Sequence, residues 1–442
     1  MKLKKKKMGF KLILFSLLFL PGFQVLFIVG FNSKYLIRLP FYILIGIINV
    51  GLIVALIFGV KLFYENIQAS KRKLKKWIKV VMSIFMSLYI IGCITFVVLL
   101  YGPNQKFKTW LITTAMQTMN HQYLCKWFYS GPQINEILSQ NYVLESGEST
   151  DTSLIKIEKT TNYIDEYDKE ILDVPAGTKY KILEFEVDGQ RAFLAAIYDP
   201  SMIKLEITQK IGEIGEYVTS MAQRNNALLA INAGGFIDAG NNLGESPTGI
   251  TIINHEIITN NEYGGTTSTG GIIGFNDDDI LVLLKNTTAE EALNQGVRDA
   301  VSWGPFLIVN GQPSYISGNG GWGFGARTAI GQRADGIVLF LVVEANSSRT
   351  RGADMADLTE IMVRYHAVNA ANLDGGTSSV MAVPRDLAIS QYKAACNDYF
   401  TKYACAINDP IDAVGIHRTR YVADAWVVVD NEEQSENLLE QN

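Results

Sequence analysis

The side chains best suited to chemistry lie in one short stretch, residues 369–383. There a single carboxylate, Asp374, is followed by Gly375 and Gly376 and then by three hydroxyl side chains. Glycines allow backbone N–H groups to approach a ligand closely, and hydroxyls beside them add hydrogen-bond donors that suit a phosphate or a sugar. However, Asp-Gly between apolar residues is also the strongest short-range signal for a β-hairpin. The stretch therefore has two interpretations, a ligand-binding loop and a tight hairpin.

Three other segments have the same design, an apolar strand beside a small-residue turn that carries one or two polar groups. They are residues 228–238, 302–312 and 325–336. Loops of this type at strand ends are where an α/β sheet places its ligand. The site groups that these segments add are Asn232, Gly234, Gly235, Gly304 and Arg327. Each segment alone is a weak signal, but four in one domain predict a common site.

In this order, the four segments resemble the phosphodiester glycosidase family, the catalytic domain of a lysosomal enzyme that removes N-acetylglucosamine from a sugar phosphodiester. The resemblance covers roughly residues 192–429 and includes the closing stretch 420–428. It implies a hydrolase that acts on a sugar-1-phosphodiester. Bacterial relatives are described as exopolysaccharide biosynthesis proteins, so the implied substrate is an exopolysaccharide or another cell-envelope glycan. The chain departs from the family at Glu344, where an Asp-Gly-Arg-like turn is usual.

The reaction itself indicates the roles of these groups. Breaking a sugar–phosphate bond at the anomeric carbon expels a phosphate that needs little protonation, whereas an ordinary glycosidase needs two carboxylates. Asp374 is the predicted nucleophile or base, and Arg327 the predicted phosphate ligand because its planar fork binds two oxygens. Asn232 is predicted to hold a sugar hydroxyl or the water, with Glu344 as a reserve acid/base. The predicted substrate-binding residues are Gly234, Gly235, Gly304, Gly375, Gly376, Thr377 and Ser378.

Other catalytic chemistries find little support. The histidines all lie outside the four segments, at His121, His255, His366 and His417. The sequence lacks the Gly-x-Ser-x-Gly elbow that is typical of many serine hydrolases. Its histidine and cysteine positions do not form a zinc pattern. We therefore expect no required cofactor. Calcium or magnesium held by oxygens of Asp238 and Asp374 stays open as an alternative.

Two other functions use the same residues. A non-catalytic module that binds an anionic glycan such as teichoic acid would use Arg327 and the glycine-rich turns without needing a reactive Asp374. A transferase for sugar-phosphate units in envelope assembly needs the same activated anomeric carbon as a hydrolase. The sequence does not separate hydrolysis from transfer, and it does not predict the sugar or the oligomeric state.

The N-terminal part of the chain belongs to a different environment. Residues 1–105 contain 15 lysines and arginines but one acid, so they carry +14, whereas the remaining residues carry −19. Three apolar runs, at residues 12–30, 41–60 and 80–100, approach or exceed the roughly 20 residues of a membrane-spanning helix. They predict a membrane domain over residues 1–105 with three transmembrane helices.

The lysines give this membrane domain an orientation. They cluster before the first run and between the second and third, which by the positive-inside bias places the N-terminus in the cytoplasm. The chain after about Tyr101 is then extracellular. Lysines between two spans touch anionic lipid rather than nucleic acid. We therefore predict a multi-pass protein of the cell membrane, of a Gram-positive type, with membrane lipid as a partner.

The outer part is predicted to be an α/β (α+β) domain with a mixed sheet. Its domains are a stalk helix and linker at 106–160, a catalytic domain at 161–430 and an acidic tail at 431–442. Helices are predicted at 106–131, 214–226 and 353–365, the last with Met355, Leu358, Ile361, Met362 and Tyr365 on its core face. Strands are predicted at 180–187, 192–197, 204–208, 228–232, 249–253, 280–284, 306–309, 327–331, 337–344, 379–383 and 425–429.

Two cysteines of this domain, Cys396 and Cys405, lie nine residues apart in a polar loop. In an oxidising compartment such a pair can close a small disulfide loop. Two free thiols are the alternative, and the spacing does not decide between them.

Overall fold

The computed structural model describes residues 76–430 and five helical positions between 51 and 61. Within 76–430, residues 118–121, 159, 161, 188, 238–242, 262–270, 346–351, 395, 397–401 and 412–416 are not described. The spans predicted at 12–30 and 41–60 therefore lie outside the described residues, apart from those isolated positions, and so does the predicted tail. The chain divides into two compact units, Met1–Gln140 and Asn141–Asn442.

The first unit is helical where it is described. Its helices are α1 (Lys76–Tyr101), α2 (Gln105–Met116), α3 (Tyr123–Lys126) and α4 (Gly131–Ser139). The Asn104 side chain caps the start of α2, and Ser130 with Gln133 forms a capping box at the start of α4. The region predicted as one helix over 106–131 therefore contains separate helices. Among the helices of the described residues, none combines the length and apolarity needed to cross a membrane.

The second unit combines many strands with a few short helices. Its helices are α5 (Glu166–Leu172), α6 (Val218–Arg224), α7 (Ala289–Asn294), α8 (Met355–Arg364) and α9 (Arg385–Tyr392). Its strands are β1 (Tyr142–Leu144), β2 (Tyr180–Val187), β3 (Gln190–Ile197), β4 (Ile203–Ile207), β5 (Leu229–Asn232), β6 (Phe236–Ile237), β7 (Ser246–Pro247), β8 (Gly249–Ile253), β9 (Glu256–Asn261), β10 (Gly271–Asn276), β11 (Leu281–Leu284), β12 (Val297–Trp303), β13 (Phe306–Val309), β14 (Gln312–Pro313), β15 (Tyr315–Ser317), β16 (Arg327–Arg333), β17 (Val338–Val343), β18 (Ala367–Asn372), β19 (Met381–Pro384), β20 (Ala404–Ala406) and β21 (Asp424–Val428).

Three larger sheets organise these strands. Their orders are β14-β13-β18-β16-β17-β3-β2, β11-β10-β12-β8-β9 and β20-β19-β5-β21-β4, and two small sheets are β1-β15 and β6-β7. The predicted combination of helices and strands is confirmed. The predicted mixed sheet is corrected, because the strand pairs within the described residues are antiparallel. Several neighbours, such as β2 and β3, are joined by connections far shorter than the crossover that a parallel pair requires.

The seven-stranded sheet lies between two parts of the hydrophobic core. Alternate residues of β3 enter the two parts, with Phe193 and Ala195 on one side and Leu194 and Ala196 on the other. Side chains on successive strand positions point to opposite faces, so a sheet covered on both faces needs apolar residues at nearly every position. The second part also contains the apolar face of α8. All five residues predicted for that core face are buried.

The Asp374 stretch joins two sheets and is not a hairpin. Strand β18, before it, pairs with β13 and β16 in the seven-stranded sheet, whereas β19, after it, pairs with β5 and β20. Between them lies a short 3-10 turn, Gly376–Ser378. The hairpin interpretation is therefore excluded, because the flanking strands do not pair with each other.

The segment that enters the second unit contacts it at several points. Strand β1 pairs with β15, the Thr150 hydroxyl bonds with the backbone of Leu283, and the N–H of Lys156 donates to Ala334. Further along, Cys396 and Cys405 form a disulfide with a Cα–Cα distance of 5.3 Å. Of the two alternatives for these cysteines, the structure contains the bonded one.

Candidate active site

Asn232 connects three of the chain segments that meet at the candidate site. Its side-chain amide donates to the backbone carbonyl of Asp374 at 2.6 Å. Its carbonyl oxygen accepts from the Thr328 hydroxyl at 2.7 Å and from the N–H of Val380 at 3.1 Å. The side chain is 1% exposed. Asn232 thus uses both ends of its amide inside the protein and positions the Asp374 loop, rather than offering the amide to a sugar.

Asp374 lies at the centre of this arrangement and remains partly exposed. Burial raises the pKa of its carboxyl group, while the Ser378 hydroxyl, the charge of Arg420, the N–H of Gly375 and the charge of Arg327 oppose the rise. A carboxylate with two donors and two cations around it is stabilised in its charged form. These four partners limit the rise, but burial outweighs them, so the pKa of Asp374 stays above its ordinary value.

A second carboxylate, Asp424, belongs to the same site and was missed by the sequence analysis. It begins β21, is 1% exposed and accepts the N–H of Gly234 at 2.7 Å through Oδ1. Its other oxygen, Oδ2, is buried and has no hydrogen-bond partner among the described residues. Burial raises the pKa of Asp424 to about 7, which the Gly234 N–H opposes and the charge of Asp374 favours.

The sequence contained a weak signal for Asp424. It lies in the closing stretch 420–428, which supports the family resemblance. In sequence, however, one aspartate ahead of an apolar strand looks like an ordinary strand-start residue. Only the antiparallel pairing of β21 with β5, which sets Ala425 opposite Asn232, brings this carboxylate beside Gly234. The role of Asp424 therefore depends on sheet order, which the sequence did not provide.

Arg327 is largely committed to the backbone. Its guanidinium donates to the carbonyls of Trp322 at 2.6 Å, Gly323 at 2.9 Å and Ala353 at 3.3 Å, and the residue is 7% exposed. Burial lowers the pKa of Arg327 to about 10, although two nearby aspartates act against that change. Arg327 therefore holds the glycine-rich loop before β16 in place. Its hydrogen bonds to these carbonyls compete with the predicted binding of a phosphate.

Arg420 is a second cation close to Asp374 that the sequence analysis did not select. Its positive charge opposes the rise in the pKa of Asp374, and its side chain is partly exposed. The guanidinium lies 4.7 Å from the ring centroid of Phe236. The next residue, Tyr421, stacks on Tyr217 with ring centroids 4.5 Å apart. This stacking holds the backbone next to Arg420 in place.

Three of the predicted glycines are close to the carboxylates, and their N–H groups already have partners. The N–H of Gly375 bonds to the Asp374 carboxylate, that of Gly376 to Ala326, and that of Gly234 to Asp424. These glycines therefore shape the site and orient the carboxylates, rather than presenting unoccupied donors to an oxyanion.

The remaining predicted binding residues have varied surroundings. The carbonyl of Gly304 accepts from Asn372 at 2.8 Å, and Ser378 bonds to Asp374. Thr377 is partly exposed beside them. Gly235 lies directly against an indole: a Cβ placed on it would stand 1.9 Å from Cζ3 of Trp303. All four predicted segments thus meet around the two carboxylates.

Glu344 has a different set of partners. It is 1% exposed, and its Oε1 accepts the N–H of Asp409 at 2.7 Å. The guanidinium of Arg191 lies 3.9 Å from the same oxygen. These contacts hold Glu344 against the chain near residue 409, so the structure gives it neighbours other than Asp374 and Asp424.

A metal site involving Asp374 gains no support from the described residues. Within them, one group of three side chains has metal-ligand spacing, namely Asp165, Asp168 and His366. Asp168 in this group already pairs with Arg333 at 2.9 Å. The other predicted ligand, Asp238, lies outside the described residues.

Comparison with known sequences finds a family model that matches the segment containing this site. Residues 225–429 match a family model described as phosphodiester glycosidase. Over 172 residues, the chain is 28% identical to the SPbeta prophage-derived uncharacterized protein YomE of Bacillus subtilis (strain 168). That match covers 38% of this chain and 26% of the relative, so the chain spans about a quarter of the relative's length.

Solved structures show only distant likeness. The zebrafish N-acetylglucosamine-1-phosphodiester alpha-N-acetylglucosaminidase catalytic domain, auto-inhibited by its pro-peptide, has 18% identity and a TM-score of 0.41, covering 57% of this chain and 82% of that one. A putative exported protein from Burkholderia pseudomallei K96243 has 17% identity and a TM-score of 0.36, covering 55% and 74%. These scores carry no argument about activity. The family match is the informative result: residues 225–429, which contain Asn232, Arg327, Asp374 and Asp424, match the phosphodiester glycosidase model.

Proposed function

We propose that this domain hydrolyses a sugar-1-phosphodiester at the anomeric carbon, using Asp374 as nucleophile or base and Asp424 as proton donor. The observation that carries the proposal is the coupled carboxylate pair. Both groups have raised pKa values, but Asp374 has donors and cations around its carboxylate, while Asp424 has one backbone N–H. When the surroundings of two carboxyl groups separate their pKa values in this way, the group with the lower pKa acts as the charged partner and the other acts as the acid.

The reaction balances with these two groups alone. In its direct form, Asp374 takes a proton from water as the water oxygen bonds to C1. The C1–O bond breaks, and its electron pair leaves with the phosphate oxygen, to which Asp424 gives its proton. The products are a free sugar and a phosphate monoester, and a later proton exchange with solvent resets both carboxyl groups. In the covalent route, the Asp374 carboxylate bonds to C1 as the C1–O bond breaks, and Asp424 gives its proton to the leaving phosphate. Asp424 then takes a proton from water, whose oxygen bonds to C1 as the bond to Asp374 breaks, which releases the sugar and restores both carboxyl groups.

We assign the phosphate of the substrate to Arg420. Phosphate binding requires a cation that solvent and substrate can reach. Arg420 is partly exposed and electrostatically coupled to Asp374, and its Nε donates to the carbonyl of Tyr421 at 3.3 Å. Arg327 is buried and donates to three carbonyls. In this assignment Arg327 is a positioning residue, which keeps the loop before β16 closed against Gly375. Asn232 positions the Asp374 loop from the other side.

The proposed substrate is a glycan of the cell envelope or an exopolysaccharide, reached from outside the membrane. The three apolar runs and the lysine distribution in residues 1–105 support a membrane-anchored chain with a cytoplasmic N-terminus. The bond between Cys396 and Cys405 supports an oxidising, extracytoplasmic compartment for the domain, since such bonds are rare in the cytosol.

The decisive experiment uses the full-length protein in detergent and a synthetic methyl phosphodiester of N-acetylglucosamine-1-phosphate. We expect release of N-acetylglucosamine. The Asp374→Asn variant should lose about a hundredfold to ten-thousandfold in kcat, the range usual for a positioned proton-transfer group. Asp386→Asn, which changes an exposed acid of α9, serves as the matched control and should retain the parent rate.

The same experiment separates the other functions. A transferase would give a new glycoside when an alcohol acceptor is added and little free sugar without it. A binding module would show no turnover in the parent, and Asp374→Asn would leave its affinity for teichoic-acid-type polymers intact. Full activity in Asp374→Asn would remove this residue from the mechanism.

A further inference from the structure

We propose that Trp303 and Trp322 form the subsite that holds the sugar ring of the substrate. The inference deepens the proposed function and rests on it for the identity of the ligand. Neither tryptophan was selected from the sequence as a site residue. Four observations carry the assignment: the geometry of the pair, its two connections to the carboxylates, an unpaired indole N–H, and the constrained loop that holds one of the rings.

The two indoles meet edge to face. Their ring centroids lie 5.9 Å apart and the planes are inclined by 65°. Trp303 ends β12, while Trp322 lies in the loop between β15 and β16, so distant parts of the chain supply the pair. Both side chains are partly exposed. An aromatic ring with an accessible face suits the apolar C–H face of a sugar, while nearby polar groups pair with its hydroxyls.

Trp303 is connected to Asp424 through two adjacent glycines. The N–H of Gly234 donates to Asp424 at 2.7 Å. The next residue, Gly235, lies under the indole so closely that a Cβ there would stand 1.9 Å from Cζ3 and 2.3 Å from Cε3 of Trp303. The missing side chain therefore lets the indole approach the backbone that orients the proposed proton donor.

Trp322 is connected to Asp374 by a similar short path. Its carbonyl accepts from the guanidinium of Arg327 at 2.6 Å. The Nη1 atom of Arg327 in turn lies 3.2 Å from the position that a Cβ on Gly375 would occupy. Gly375 donates its N–H to the Asp374 carboxylate. The indole of Trp303 and the backbone of Trp322 are thus each linked to one of the two carboxylates, and the contact between the two indoles places both rings at the same site.

Two buried polar atoms of residues that contact Gly235 lack a partner among the described residues. These are Nε1 of Trp303 and the hydroxyl of Thr248, whose N–H donates to the Gly235 carbonyl. The indole N–H is a donor only, whereas a hydroxyl both donates and accepts. Buried polar groups are usually paired, and an unpaired one requires an explanation. Hydroxyl or acetamido groups of a sugar would pair with both.

The loop that presents Trp322 is closely packed and anchored by hydrogen bonds: the N–H of Gly321 donates to the Asn319 side chain, and the N–H of Asn319 donates to the Asn141 side chain. Gly318, Gly320, Gly321 and Gly323 all have positive φ angles. A Cβ on Gly321 would stand 2.4 Å from the carbonyl oxygen of Asn141, so the chain just before β1 packs directly under the loop. A binding group held this firmly loses little conformational entropy when the ligand arrives. Such a loop suits a recognition surface.

The test compares sugar and phosphate binding in the full-length protein. We would make Trp322→Ala, the more conservative Trp303→Phe, and Trp110→Ala, a control in the N-terminal unit. The subsite predicts that KM for the methyl phosphodiester of N-acetylglucosamine-1-phosphate rises about 10- to 100-fold in Trp322→Ala, while kcat changes much less. Inhibition by free N-acetylglucosamine should weaken to a similar extent, and inhibition by methyl phosphate should stay at the parent level.

The outcomes distinguish a failure of the sugar subsite from a failure of the proposed hydrolase activity. If folded Trp322→Ala and Trp303→Phe both keep the parent's KM and its inhibition by the free sugar, the subsite is wrong although the hydrolase stands. If the parent hydrolyses no sugar phosphodiester, saturation-transfer NMR with free N-acetylglucosamine decides. A signal that Trp322→Ala abolishes and Trp110→Ala retains supports the subsite. Equal signals in both variants, or no signal in the parent, overturn it. If Trp322→Ala fails to fold, Trp322→Phe replaces it under the same criteria.

Discussion

Asp374 and Asp424 approach each other from different elements: Asp374 from the crossover between β18 and β19, and Asp424 from the first position of β21. Burial and the charge of Asp374 together raise the pKa of Asp424 to about 7. Two carboxyl groups coupled this way titrate as a pair, with one of them resisting ionisation. The site therefore holds two coupled carboxyl groups, whereas the sequence pointed to Asp374 as the principal carboxylate.

This coupling predicts a pH limit on activity. If Asp424 gives a proton to the leaving phosphate, kcat/KM should fall as pH rises through about 7, where Asp424 ionises. A pH–rate profile of the parent should show this alkaline limb. Asp424→Asn should be slower at neutral pH and should lack the limb, while Asp386→Asn should keep the parent's profile. An identical alkaline limb in Asp424→Asn would assign the titration to another group.

Stability should also depend on Asp424, with a defined sign. The folded pKa lies above the ordinary aspartate value of 3.8, so the folded state retains a proton that the unfolded state has already released. The associated stability is fully present below about pH 4 and is lost as pH rises through about 7. Relative to the parent, Asp424→Asn should gain about 2–4 kcal/mol in unfolding free energy between pH 4 and 8. Denaturant unfolding at several pH values measures this difference. A constant difference across the range would show that Asp424 ionises normally.

The two arginines near Asp374 should respond differently to replacement by lysine. In Arg327→Lys the bonds to three carbonyls are lost, so the free energy of unfolding should fall by about 1–3 kcal/mol, with activity falling as the loop loosens. Arg420→Lys keeps the charge but loses the fork, so KM should rise about tenfold while stability changes by less than about 1 kcal/mol. Equilibrium unfolding and steady-state kinetics of both variants give the comparison. A higher KM in Arg327→Lys with lower stability in Arg420→Lys would instead assign phosphate binding to Arg327.

Gly235 provides a test of the close packing around the site. A methyl group on Gly235 would overlap the Trp303 ring, so Gly235→Ala should destabilise the fold by about 1–3 kcal/mol and raise KM as the indole shifts. Gly147→Ala is the matched control, because a Cβ on Gly147 has no atom within 4 Å. Equal stability and KM in the two variants would contradict the observed packing.

Much of the fold followed from local sequence patterns. The strands predicted at 180–187, 249–253 and 306–309 have the observed bounds, because β-branched and aromatic residues lie between clear turn signals. The helix predicted at 353–365 is present as α8, because its apolar residues have helical spacing. Strands β9, β10 and β12 were not predicted. They contain glycine, asparagine or charged residues, and their pairing in a sheet outweighs weak local preference.

The site was harder to predict because side-chain partners depend on strand order. The sequence pointed to Asp374 and to the segments around Asn232 and Arg327, and the structure brings these segments together. The sequence could not show that the amide of Asn232 donates to the backbone of Asp374, or that the guanidinium of Arg327 donates to three carbonyls. Nor could it show Asp424, whose location depends on which strand lies beside β5.

The most direct test of the central claim is to ask which bond breaks. Hydrolysis of the methyl phosphodiester of N-acetylglucosamine-1-phosphate should be run in ¹⁸O-labelled water and the methyl phosphate product examined by mass spectrometry. Attack at the anomeric carbon breaks the C1–O bond and leaves that bridging oxygen on phosphorus. The account therefore predicts methyl phosphate without ¹⁸O, formed by the parent and Asp386→Asn and at least a hundredfold more slowly by Asp374→Asn. Methyl phosphate carrying one ¹⁸O would mean attack at phosphorus, and would contradict the assignment of Asp374 and Asp424 to sugar chemistry.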